Sequence, residues 1–205
     1  MAMSISLVLF DLDGVLCDYD RSARVAHLAA LTGQSVDAVR RAIWDSGLEA
    51  RADAGLMSGK DYLSELGLLL GHRITLDDWL AARRAATTPK AEVLRLAKAV
   101  ASSRRVAVLT NNSRLLTEHM DRVCPEVGEL FDEGTILSTA SYGATKPAPQ
   151  AYLRCLEELD AMPAGTLFID DVDSNVAGAI QAGLHAYMFI GAEAMAQELA
   201  SRGLI

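Results

Sequence analysis

Two aspartates, Asp11 and Asp13, follow the apolar run Leu7-Val8-Leu9-Phe10 and are followed by Gly14. A second run, Val106 to Leu109, ends in Thr110-Asn111; Lys146 stands between Thr145 and Pro147; and Leu167-Phe168-Ile169 ends in Asp170-Asp171. Paired carboxylates can act as nucleophile and acid/base, or as oxygen ligands for a hard divalent cation. A lysine, a threonine hydroxyl and backbone N–H groups can hold a phosphate. Each segment also has a plainer reading. Asp-x-Asp-Gly is a common turn, Thr110-Asn111-Asn112-Ser113 suits a helix N-cap, Lys146 suits a solvated loop, and Asp170-Asp171 suits a turn or cap. Their shared place at strand ends favours a site, because ligands of open parallel sheets bind beyond the carboxyl ends of the strands.

The elements that must position these groups alternate along the chain. Apolar runs of strand length occur at residues 5–10, 106–109, 136–137, 166–169 and 186–190, and suit strands buried on both faces. Helical patterns lie between them at 91–101, 114–123, 149–159, 176–182 and 192–201. This alternation predicts an α/β fold, a Rossmann-like parallel sheet with helices on both faces.

Residues 18–87 break the alternation with helical patterning and no convincing strand. They predict an inserted all-α cap over 17–87, with 1–16 and 88–205 forming the catalytic core. Ser58 to Asp61 and Thr75 to Asp78 have capping-box spacing, Ser35 precedes a helical stripe, and Gly33, Gly47, Gly55 and Gly71 separate helices. Thr88-Pro89 reads as an N-cap with proline at the first helical position. The crossings near residues 17 and 88, together with Gly14, are expected to serve as hinges for closure over the site.

The 205-residue chain carries a net charge of -8, a pI near 5.0 and no basic run, which argues against nucleic acid and anionic membranes as partners. No apolar stretch is long enough to span a bilayer, and no leader is expected at the N-terminus. Cys17, Cys124 and Cys155 form no CxxC pair and are odd in number, so a cytoplasmic location without disulfides is expected. Cys17 reads as a small buried thiol. The four histidines show no zinc-binding spacing.

Phe10-Asp11-Leu12-Asp13-Gly14, Thr110-Asn111, Lys146-Pro147 and Asp170-Asp171-Val172-Asp173-Ser174-Asn175 resemble, in order, the four motifs of the haloacid dehalogenase-like hydrolase superfamily. The insert resembles the small α-helical cap of the branch that holds sugar-phosphate phosphatases. The resemblance implies an Mg²⁺-dependent phosphomonoesterase for a small phosphorylated metabolite, a sugar phosphate in class. Asp11 would be the nucleophile, forming an aspartyl phosphate, and Asp13 the acid/base. Thr110, Asn111 and Lys146 would bind the phosphate. Mg²⁺ would lie on the Asp11 carboxylate, the Asp13 carbonyl and Asp171, with Asp170 helping indirectly.

Asn175, where many relatives carry Asp, also suits a helix N-cap, and Asp173 reads as solvated. Tyr19, Arg21, Arg24, Arg41, Trp44 and Lys60 of the insert are further candidates for substrate contact. Asp13 argues against a haloacid dehalogenase and a phosphonatase, both of which lack this acid. A phosphomutase of the same superfamily and a non-catalytic phosphate-binding regulator remain as alternatives. A dinucleotide-binding domain lacks support, because no G-x-G-x-x-G follows the first strand. The chain is expected to be a monomer or homodimer.

Overall fold

A computed structural model describes residues 4–131 and 134–205. Its centre is a five-stranded, wholly parallel sheet of β1 (Leu7–Phe10), β4 (Arg105–Thr110), β5 (Ile136–Ser138), β6 (Thr166–Asp170) and β7 (His185–Met188), in the order β5-β4-β1-β6-β7. Strand β1 lies between β4 and β6, and Phe10 is in register with Val108 on one side and Ile169 on the other. Asp11, Thr110 and Asp170 therefore emerge side by side at the carboxyl edge.

Alternate residues of each strand serve opposite faces. Val8, Phe10, Val108, Leu167 and Ile169 pack on α6 (Ala91–Ala101), α8 (Met120–Val123), α9 (Pro125–Leu130) and α12 (Ala192–Ser201). Leu7, Leu9, Ala107, Leu109 and Phe168 pack on α10 (Pro149–Glu158) and α11 (Asp173–Gln181). Burial on both faces explains why β1 is apolar throughout rather than alternating.

The helical segment contains α1 (Arg21–Thr32), α2 (Val36–Arg40), a π-helical turn at Arg41–Asp45, α3 (Leu48–Asp53), α4 (Gly59–Leu70) and α5 (Leu76–Ala86). Ser35 caps α2 and Ser58 caps α4 with their side chains, and Thr75 with Asp78 makes a full reciprocal capping box on α5.

Three local expectations need correction. The segment contains strand: β2 (Cys17–Tyr19) pairs antiparallel with β3 (Thr87–Pro89), so the two crossings are hydrogen-bonded to one another. Thr88-Pro89 consequently lies in this ribbon and does not cap α6, whose N-cap is Lys90 without a side-chain bond. The pattern over 114–123 divides into α7 (Arg114–Thr117) and α8, separated by Glu118 and His119.

Candidate active site

Asp11 follows β1 directly and is 7% exposed. Lys146, 4% exposed, reaches it from the loop before α10: its Nζ lies 2.7 Å from Asp11 Oδ1 and 2.8 Å from Asp170 Oδ2. Contrary to expectation, Lys146 does not stand at a strand end. Seven residues separate it from the end of β5, and a cis peptide joins it to Pro147. Asn111 holds this loop in place, since its Nδ2 donates to the Lys146 carbonyl and its Oδ1 accepts from Lys146 N and Thr139 Oγ1.

The two adjacent aspartates at the end of β6, Asp170 as its last residue and Asp171 just past it, differ in their surroundings. Asp170 is fully buried and its oxygens are occupied: Oδ2 accepts from Lys146 Nζ, Oδ1 accepts from the Val172 N–H, and both accept from Asn175 Nδ2. Asp171 is the more open of the two. Asn175, which the sequence suggested as an N-cap, instead lies buried in the first turn of α11 and fixes Asp170. Val172 occupies the N-cap position.

One oxygen each from Asp11, Asp170 and Asp171 lies within 4.8 Å of the others. Burial pushes the Asp11 carboxyl up to about 7, opposed by Lys146 and reinforced by Asp170. Burial and Asp170 likewise raise Asp171. Burial works against the Lys146 charge, but Asp11 and Asp170 outweigh it and hold the ammonium protonated. Three carboxylates around a single lysine leave a surplus of negative charge, and their hard oxygen donors fit Mg²⁺. Gly14 sustains this closeness: at φ +91°, a Cβ there would lie 2.1 Å from Asp171 Oδ2.

Asp13 stands beside this cluster, not within it. Its Oδ2 accepts from Asn112 Nδ2 at 3.0 Å, and its buried Oδ1 has no hydrogen-bond partner among the described residues. Thr110 is 1% exposed, and its Oγ1 accepts from Asn112 N and Nδ2. The carboxylates, lysine and threonine anticipated from the sequence are thus brought to one edge of the sheet.

The candidates in the insert separate. Arg24 is fully buried, forms a bidentate pair with Glu49, and also donates to Tyr19 and Tyr62. Arg21, Arg41 and Lys60 are exposed, and Trp44 lies under the Arg21 guanidinium. The insert residue that reaches the site was not anticipated. Arg83 of α5, 2% exposed, donates to Asn112 Oδ1 and lies 4.0 Å from Asp13 Oδ2. One signal was available: Arg83 stands four residues after Trp79 on the buried face of its helix.

The sequence model of the family described as haloacid dehalogenase-like hydrolase matches residues 5–183. The chain belongs to this family. This haloacid dehalogenase-like hydrolase is 31% identical over 195 residues to phosphatase MT3486 of Mycobacterium tuberculosis, covering 91% of the chain and 88% of the relative. It is 28% identical over 185 residues to a D-ribitol-5-phosphate phosphatase of Bacteroides thetaiotaomicron, covering 84% and 85%. Among solved structures, a HAD-like hydrolase of Porphyromonas gingivalis superposes with a TM-score of 0.76 at 23% identity, covering 95% and 98%. A HAD family enzyme of B. thetaiotaomicron, in complex with magnesium and inorganic phosphate, gives 0.73 at 20%, covering 90% and 94%. These neighbours share the fold described above. The protein is a hydrolase, a phosphatase of this family.

Proposed function

We propose that the enzyme is an Mg²⁺-dependent phosphomonoesterase that releases phosphate from a small phosphorylated metabolite, a sugar or polyol phosphate in class, through an aspartyl phosphate on Asp11. The observation that carries this reading is the buried set in which Lys146 spans Asp11 and Asp170, with Asp171 adding a third carboxylate. The phosphorylated polyol in the name of one relative supports the substrate class.

Asp11, Asp171 and the Asp13 backbone carbonyl would hold Mg²⁺, with Asp170 bound to Lys146 behind them. When bound there, the ion would supply positive charge to keep the buried carboxylates ionised and to offset charge on the phosphoryl group. Lys146 neutralises Asp11 and the transferring phosphoryl oxygens. The Thr110 hydroxyl and the Asn111 N–H bind those oxygens. Asp13 protonates the departing alcohol and then takes a proton from the attacking water. Phosphoryl transfer depends chiefly on placement and charge stabilisation, so the site needs neither histidine nor cysteine.

The test is phosphate release from a panel of phosphomonoesters, including hexose and pentitol phosphates, with Mg²⁺ or EDTA, for wild type and Asp11→Asn. Release that needs both Mg²⁺ and Asp11, with the highest kcat/KM on a sugar or polyol ester, is expected. A folded protein that releases phosphate from no ester would contradict the reading and leave a phosphomutase or a phosphate-binding regulator.

A further inference from the structure

Arg83 joins the helical insert to the catalytic edge through one side chain. Its guanidinium donates to Asn112 Oδ1 at 3.3 Å, approaches Asp13 Oδ2 to 4.0 Å, and stacks 4.2 Å from the centroid of the Tyr19 ring. Asn112 turns this contact towards the site, because its Nδ2 donates to Asp13 Oδ2 at 3.0 Å and to Thr110 Oγ1 at 2.7 Å. Ser138 Oγ donates to the Asn112 carbonyl and fixes the backbone beneath it. Asp13 is thus held by one oxygen only, and its other oxygen, Oδ1, is buried without a partner among the described residues.

We propose that Arg83 and Asn112 are positioning residues that hold Asp13 by Oδ2, so that Oδ1 is the oxygen that exchanges the proton. The proposal rests on the phosphatase reading above, in which Asp13 is the acid/base. A carboxylic acid carries its proton on one oxygen at a time. An N–H donor facing Oδ2, with a guanidinium behind it, disfavours a proton there and leaves it on Oδ1.

The step balances. As Asp11 bonds to phosphorus, the bond from phosphorus to the ester oxygen breaks. That oxygen keeps the electron pair and takes the proton from Oδ1. In the second half, water adds to phosphorus and gives a proton to Oδ1, while the bond from phosphorus to Asp11 breaks and frees both phosphate and carboxylate.

The test compares an alkyl phosphate, whose leaving group needs the proton, with p-nitrophenyl phosphate, whose leaving group does not. It uses the full chain with Mg²⁺, as wild type, Arg83→Met, Asn112→Ala, Asp13→Asn and the Arg83→Met/Asp13→Asn double variant. Each single variant is expected to lose at least about tenfold more kcat/KM on the alkyl ester than on the aryl ester, within the range general acid catalysis supplies. The double variant should lose no more than Asp13→Asn alone. Equal losses on both esters in Arg83→Met and Asn112→Ala would show a strut or a substrate contact and overturn the proposal. Asn112→Ala, on the core side, keeps the test open should Arg83→Met fail to fold. A wild type that hydrolyses neither ester would overturn the phosphatase reading itself.

Discussion

Asp11, Asp13, Asp53 and Asp170 carry the same side chain into four environments, and the environment decides what each can do. Asp170 is saturated with donors, Asp11 shares Lys146, and Asp13 keeps an oxygen free. Asp53, at the end of α3, is half-buried near Glu49, and desolvation together with that neighbour pushes it from the usual 3.8 to about 7 against the pull of Arg83, the Ser113 backbone and Arg24. A raised carboxyl makes the folded state retain a proton that the unfolded chain releases near pH 4. The stability that goes with this proton is complete below the unfolded value and declines as pH rises towards 7. Asp53→Asn removes this residue's share of the decline. The variant should gain on wild type between pH 5 and pH 8 by on the order of 1 kcal/mol, or about 2–4 °C in Tm. A Tm difference that stays constant across that range would contradict the assignment.

At the scale of elements, the helical segment is seated on the core by close backbone approach as well as by side chains. Gly55, just after α3, has φ +72°, and a Cβ there would lie 2.0 Å from the Ala140 carbonyl oxygen. Arg122 of α8 pairs with Asp77 at the start of α5 across the same boundary. Gly55→Ala should push the segment from its seat, lowering kcat/KM at least about tenfold while costing about 1–3 kcal/mol of stability. Kinetics and urea unfolding check both parts, and unchanged turnover would show that the seating does not matter to the site. Period and caps were readable in the sequence because they are local: the strand runs, the Ser35 and Ser58 caps and the Thr75 box all depend on residues a few positions apart. The β2–β3 ribbon was not, because each strand has three residues and is defined by a partner about 70 positions away. Proline at 89 could be tolerated there because the ribbon has only two strands and is all edge.

Across the whole molecule, one continuous apolar cluster runs from Val8 and Phe10 of the sheet through Leu16 and Cys17 to Val25, Leu28 and Trp79 of the insert. The chain carries a net charge of -8, so attraction for an anionic phosphate must be local, and under the proposed function Lys146 among the carboxylates would supply it. Among the described residues no helix is long and apolar enough to cross a membrane. The candidate site was legible because strand ends and chemical residue types coincide at Asp11, Thr110 and Asp170. Arg83 and the link through Asn112 were not, because a buried arginine reads in sequence as a solvated one until the fold places its partner. The central claim is that Asp11 receives the phosphoryl group. Its most direct test is acid quenching of the enzyme during turnover with Mg²⁺ and a hydrolysed ester, followed by peptide mass analysis. The account predicts an acid-stable, hydroxylamine-sensitive adduct one phosphoryl group heavier on the peptide containing Asp11, absent in Asp11→Asn. Turnover by Asp11→Asn at the wild-type rate, with no adduct at residue 11 in either protein, would contradict it.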